Sequence, residues 1–158
     1  MEAKTGVLDR LNHILTIELT AINQYFLQSR MMGDWGYHAL QKRLWDFSRA
    51  EMDDAGDLVE HILYLEGLPN VQRLNEVRIG ETPLECLQLD LESENAAVEA
   101  LRETIAHFHE VGDFTSRGKA EEMIRDEESH VDWLETQLSA IDDIGIERYL
   151  AEQVQAES

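Results

Sequence analysis

Apolar residues recur along this chain in stripes that are broken only by acids and one histidine. Leu8, Leu11, Leu15, Ile22 and Tyr25 repeat at three- to four-residue steps, and the step missing from the series holds Glu18. This spacing predicts an amphipathic helix over residues 5–33. Gly33, Asp34, Trp35 and Gly36 form a turn, and a second helix is predicted at 35–65. Its stripe is Leu40, Leu44, Phe47, Leu58, Ile62 and Leu65, with Glu51 and Asp54 in the gap and Gly67 and Pro69 at the end. Residues 66–82, "EGLPNVQRLNEVRIGET", carry no helical period. A connection of that length is unusual in one domain, and here it can carry the chain from one end of a bundle to the other.

The third helix, 83–111, opens with Thr82 as N-cap, Pro83 at the first helical position and Glu85 three residues after the cap. Its stripe of Leu84, Leu87, Leu91, Val98, Leu101, Ile105 and Phe108 is interrupted by Glu94. Gly112 and Asp113 make the next break and cap. The fourth helix, 114–143, carries Ala120, Met123, Leu134 and Ile141, with Glu127 and His130 in the gap; Gly145 ends it. A short amphipathic helix at 146–154 follows. The pattern predicts an all-α fold, a single domain over 1–158 built as a four-helix bundle with one long crossover.

The two halves repeat. Adding 76 to Leu8, Leu11, Leu15, Glu18, Ile22 and Tyr25 gives Leu84, Leu87, Leu91, Glu94, Val98 and Leu101. The same shift carries Glu51 to Glu127 and Asp54 to His130. Two amphipathic hairpins can share an apolar period by coincidence. Polar interruptions at one offset are much harder to dismiss. Residues i and i+3 lie on one helix face. Glu51 with Asp54 and Glu127 with His130 therefore point into the bundle together, where Glu18 and Glu94 meet them. Carboxylates at such density repel one another unless cations neutralise them. The four Glu residues carry −4, which two divalent ions cancel. A donor set of carboxylate oxygens and one imidazole suits iron or manganese. Two lone Glu and two Glu-x-x-ligand pairs on four helices match a dinuclear carboxylate centre.

Composition narrows the function further. A formal net charge of −20 argues against nucleic-acid and acidic-membrane partners and suits cations. Cys86 is the single cysteine, so one chain forms no internal disulfide and no Cys-based metal cluster. That fits a reducing cytoplasm. No apolar run is long enough to span a membrane, and the first residues lack a signal-peptide pattern.

The stretches "LNHILTIELTAINQYFLQSRM", "DWG", "ILYLEGLPNVQRL", "IGE" and "EESHVDWLETQL", together with Glu51-Met52, resemble the bacterioferritin family over the whole chain. The resemblance implies a ferritin-like bundle with a short fifth helix. It implies a cytoplasmic cage of twenty-four subunits, built from two-fold dimers, that oxidises Fe(II) as a ferroxidase and stores ferric mineral. It also implies haem b at the two-fold interface, held by Met52 from each partner, and an electron donor such as a ferredoxin for iron release. Glu18, Glu51, Glu94, Glu127 and His130 stand where the family has its iron ligands and catalytic residues.

Position 54 departs from the family, which has His there. An Asp oxygen lies as far from Cβ as the proximal ring nitrogen of His, so Asp54 can reach the same metal. Five carboxylates against two ferrous ions leave −1, and against two ferric ions +1, which favours ferric binding and slows release. The rival reading is a degraded centre, as in the haem-binding subunit of a cage shared by two bacterioferritin chains. Asp46 and Ala50 replace the His and Asp of the family's inner-surface iron site. Tyr25 and Trp133 are candidate electron carriers, although core packing explains both. Asp90 and Asp126 are candidates to orient His130. His13, His38, His61, His107 and His109 read as structural or exposed.

Overall fold

The computed structural model describes residues 1–155, so residues 156–158 of the expected domain lie outside the described residues. Four long helices and one short one follow in chain order: α1 (Val7–Asp34), α2 (His38–Tyr64), α3 (Pro83–Val111), α4 (Phe114–Ile144) and α5 (Ile146–Ala151). α1 packs on α2, α3 on α4, α1 on α3 and α2 on α4. This is the ferritin-like four-helix bundle with a short C-terminal helix, and the described residues include no strand.

Helix boundaries shift from the expected ones for local reasons. α1 starts at Val7 rather than residue 5 because Gly6 is left-handed, with φ 76°. α2 starts at His38 rather than 35 because the preceding residues close α1. Gly36, at φ 90°, donates its N–H to Gly33 O at 3.1 Å, and Tyr37 N–H reaches Met32 O at 2.8 Å. α3 closes in the same paired way at Gly112, φ 75°, through Gly112 N–H to His109 O and Asp113 N–H to Phe108 O. The end of α2 differs from expectation. Its left-handed residue is Glu66, φ 61°, and Gly67 follows it, donating to Ile62 O at 2.9 Å. Glycine is needed at 67 for space: a Cβ there meets Leu8 Cδ2 at 2.5 Å. At the start of α3, Thr82 Oγ1 accepts from Glu85 N–H at 3.2 Å, and Asp113 caps α4 by accepting from Ser116 N–H at 3.0 Å. α5 is shorter than expected, ending at Ala151.

The 76-residue repeat is structural as well as sequential. Val7 + 76 is Pro83, the first residue of α3; His38 + 76 is Phe114, the first of α4; Gly36 + 76 is Gly112. The hydrophobic core is divided accordingly. Leu11, Leu15, Leu58, Ile62, Leu101 and Phe108 belong to one buried cluster. Tyr25, Leu40, Leu44, Leu87, Leu134 and Tyr149 belong to the other. A fully buried side chain of this size contributes about 1.5–3 kcal/mol, so the two clusters stabilise the ends of the bundle. The sequence positions between them on all four helices are the polar ones.

The crossover runs from the end of α2 to the start of α3 at the opposite end of the bundle. One face of α1 holds it. Asn12 Oδ1 accepts from Asn70 N–H at 2.8 Å, Thr20 Oγ1 from Asn75 N–H at 2.9 Å, and Gln24 Oε1 from Arg78 N–H at 3.1 Å. An irregular segment has no ladder for its N–H groups, and α1 supplies acceptors in its place.

Candidate metal centre

Glu18 of α1, Glu51 and Asp54 of α2, Glu94 of α3, and Glu127 and His130 of α4 converge in the middle of the bundle. They form two overlapping groups. Glu51, Glu94, Glu127 and His130 make one; Glu18, Glu51, Asp54 and Glu127 make the other. Within each group the ligand-type atoms all lie within 4.8 Å of one another. Glu51 and Glu127 belong to both. All four Glu residues are at most 2% exposed, whereas Asp54 is half-buried.

Such a cluster is costly without cations. Glu18 Oε2, Glu51 Oε2, Glu94 Oε2 and Glu127 Oε1 are buried and meet no hydrogen-bond donor unless a neighbouring carboxyl carries a proton. Burial, then the charge of Glu51, raises Glu18 well above the usual carboxylate range. Burial, then Glu18 and Glu94, does the same to Glu127. Burial also opposes ionisation of Glu51, but hydrogen bonding from Glu18, His130 and Glu127 prevails and holds it below the usual range. His130 Nδ1 lies 3.1 Å from Glu51 Oε1, 3.3 Å from Glu94 Oε1 and 3.9 Å from Glu127 Oε2. Burial disfavours its charged form, yet Glu51 and Glu94 outweigh that and push its pKa up to about 10. Burial, then Glu51 and Asp126, raises Asp54 to about 7. In the metal-free centre burial and crowding therefore favour the protonated forms of Glu18, Glu127 and His130 beside an ionised Glu51. Buried oxygens lacking donors, on a set of carboxylates with one imidazole, fit a pair of oxygen-seeking divalent cations.

The surroundings fix the ligands. Tyr25 Oη donates to Glu94 Oε1 at 2.5 Å. Phe47 stacks on the His130 ring, centroids 4.0 Å apart, and touches Tyr25 and Trp133 edge-on at 5.4 and 5.3 Å. In the sequence Phe47 reads only as a stripe residue; its place four residues before Glu51, on the same helix face, is the available clue. Neither aspartate expected to orient His130 is found bonded to it. Asp90 is buried and accepts from Gln24 Nε2 at 2.9 Å, while Asp126 is exposed and acts on Asp54 through its charge. Among the described residues, a cavity of about 530 Å³ between α1, α3 and the crossover reaches Glu18, Glu51, Glu94 and Glu127 from a mouth near His13 and Glu76.

The remaining residues lie elsewhere. Met52, one step round from Glu51, is 53% exposed on the outside of the bundle. Asp46 and Ala50 are exposed, and Asp46 accepts from Lys42 Nζ at 2.7 Å. His61 is buried against Ser116 Oγ at 2.7 Å, and His107 Nε2 lies 2.9 Å from Thr5 O, which are structural roles. His13, His38 and His109 are exposed.

Comparison with known proteins agrees with this architecture. The family model described as a ferritin-like domain matches residues 8–144. The chain is 40% identical over 149 residues to the bacterioferritin of Brucella melitensis biotype 1, covering 94% of this chain and 92% of that protein. It is 43% identical over 145 residues to the bacterioferritin of Rhodobacter capsulatus, covering 92% and 90%. With the bacterioferritin of Mycobacterium tuberculosis (strain CDC 1551 / Oshkosh) it shares 43% over 154 residues, 98% and 97% of the two chains.

Proposed function

The chain belongs to the bacterioferritin family, and from that premise we propose that it stores iron in a cage of twenty-four copies, oxidising Fe(II) as a ferroxidase before storage. The observation that carries this reading is the pair of four-residue groups sharing Glu51 and Glu127. Two iron ions bound there would supply the redox chemistry. Glu51 and Glu127 span both positions. Glu94 and His130 complete one of them, Glu18 and Asp54 the other. Tyr25 orients Glu94 through its hydroxyl, and Phe47 holds the imidazole plane. The cavity beside α3 gives Fe(II) a route to the carboxylates of Glu18, Glu51, Glu94 and Glu127.

Met52 is the haem ligand in this reading. Its thioether is exposed on a single chain, as a ligand shared across a two-fold interface must be. Phe26 at 45% and Leu27 at 44% exposure add apolar surface for a partner to cover. A haem held there would offer an electron path for iron release, with a donor protein such as a ferredoxin as the proposed reductant. The cell compartment is the cytoplasm, where Cys86 stays reduced. Among the described residues no helix is long and apolar enough to cross a membrane.

The second reading is a haem-binding structural subunit of a mixed cage, with an impaired centre caused by Asp54. Asp54 keeps an oxygen within ligand distance of Glu18, Glu51 and Glu127, which favours the first reading. Anaerobic addition of Fe(II) to the purified metal-free protein, followed by oxygen, separates the two. Fast oxidation of two Fe(II) per chain, in a particle the size of a large cage, supports ferroxidase storage. A cage that binds haem but oxidises Fe(II) no faster than buffer supports the second reading.

A further inference from the structure

The two metal positions differ in one residue. Glu51 and Glu127 are shared, and Glu18 and Glu94 correspond under the 76-residue repeat, so the difference is Asp54 against His130. One position has three carboxylates and an imidazole. The other has four carboxylates and no nitrogen donor. Glu18 Oε2, Glu51 Oε2 and Glu127 Oε1 are buried there without a donor, so the all-oxygen position is more than a patch of surface acids. Asp54 alone of the six is half-buried, which leaves that position open to water on one side.

Imidazole suits iron better than manganese, whereas carboxylate and water suit manganese and magnesium. Fe(II) generally outbinds Mn(II) at a given nitrogen or oxygen site. Loss of the nitrogen donor narrows that margin. An open position also lets an ion keep part of its hydration.

We propose that Mn(II) competes effectively with Fe(II) at the Asp54 position and not at the His130 position, so that the centre accepts a mixed pair of metals. This rests on the reading that the cluster holds two ions.

The test is anaerobic equilibrium dialysis of the metal-free, full-length assembly against Fe(II) with increasing Mn(II), counting both metals per chain. Electron paramagnetic resonance identifies the bound Mn(II). One Fe(II) per chain is expected to yield to Mn(II) at a Mn:Fe ratio roughly tenfold lower than the other requires. Asp54→His should abolish the split, and Asp54→Asn, which keeps an oxygen at the same reach, should retain it. The wild-type titration carries the test by itself if a variant fails to fold. Two Fe(II) displaced at one common ratio overturn the proposal while leaving the dinuclear reading intact, as does a split that survives in Asp54→His. A protein that binds neither metal overturns both.

Discussion

Glu51 and Glu127 each offer an oxygen to both four-residue groups at the centre of the bundle. Losing either therefore affects two metal positions at once. Glu127 is the more informative to change, because burial and its acidic neighbours raise its pKa well above the usual carboxylate range and so favour its neutral form in the metal-free chain. Glutamine copies that neutral form. Glu127→Gln should therefore leave the stability of the metal-free chain close to that of the wild type. Its affinity for metal should fall by more than the roughly 10–100-fold typical of losing an outer hydrogen-bond partner. Glu18→Gln should weaken one position only. Metal counting with thermal melting of both variants checks this, and retention of two tight ions by Glu127→Gln would refute the shared role.

Tyr25→Phe removes the 2.5 Å hydrogen bond to Glu94 and leaves a buried oxygen without that donor. Leaving a buried polar group short of a partner costs about 1–3 kcal/mol, and the variant should lose stability on that scale. Metal affinity should fall at the His130 position, which contains Glu94, and hold at the Asp54 position, which does not. Equal weakening of both would mean that Tyr25 acts on the bundle as a whole.

Metal binding should release protons. His130, at about pKa 10 in the metal-free chain, carries a proton at pH 7 that a metal must displace, and Glu18 and Glu127 are raised as well. Apparent affinity should rise with pH up to about 10. Calorimetric titration in buffers of different ionisation enthalpy reads the number released. Heats that do not depend on the buffer would show that the groups are already deprotonated.

Met52→Leu keeps the side-chain volume and removes the thioether. Folding and particle size should be unchanged, and the haem absorption bands should disappear. Full haem content in the variant would assign the ligand to another residue.

The stripes and their polar gaps were enough to place Glu18, Glu51, Asp54, Glu94, Glu127 and His130 on inward faces, because helical periodicity maps sequence onto direction. Local chemistry set the helix ends with less certainty. Glu66 takes a left-handed conformation that sequence patterns assign to glycine, because the adjacent Gly67 is required by the approach of Leu8. The polar face of α1 was not legible at all. Thr20, Gln24 and Asn12 look like ordinary helix-surface residues until the crossover, which has no periodicity to betray its path, is laid against them. Asp90 was misassigned for the same reason: its partner Gln24 lies 66 residues away, and no spacing rule links them.

Asp90 makes the sharpest prediction outside the centre. It is fully buried, its Oδ1 accepts from Gln24, and its Oδ2 has no partner. Burial first, with the charge of Glu94, pushes its pKa up to about 8 against the opposing hydrogen bond of Gln24. An unfolded Asp titrates near ~3.9. Between about pH 4 and 8 the folded chain therefore holds a proton that the unfolded chain has lost. The stability associated with that proton is complete below about pH 4 and is lost as pH rises through about 8. Asn cannot titrate, yet its Oδ1 still accepts from Gln24, whose Oε1 holds Arg78 N–H of the crossover. Asp90→Asn should therefore leave the crossover in place and flatten the dependence of stability on pH. Its advantage over the wild type should be largest near pH 8 and shrink toward pH 5. Denaturant unfolding of both metal-free proteins across that range measures the difference, in which the titrations of Glu18 and Glu127 largely cancel. Parallel curves would show that Asp90 does not keep its proton on folding.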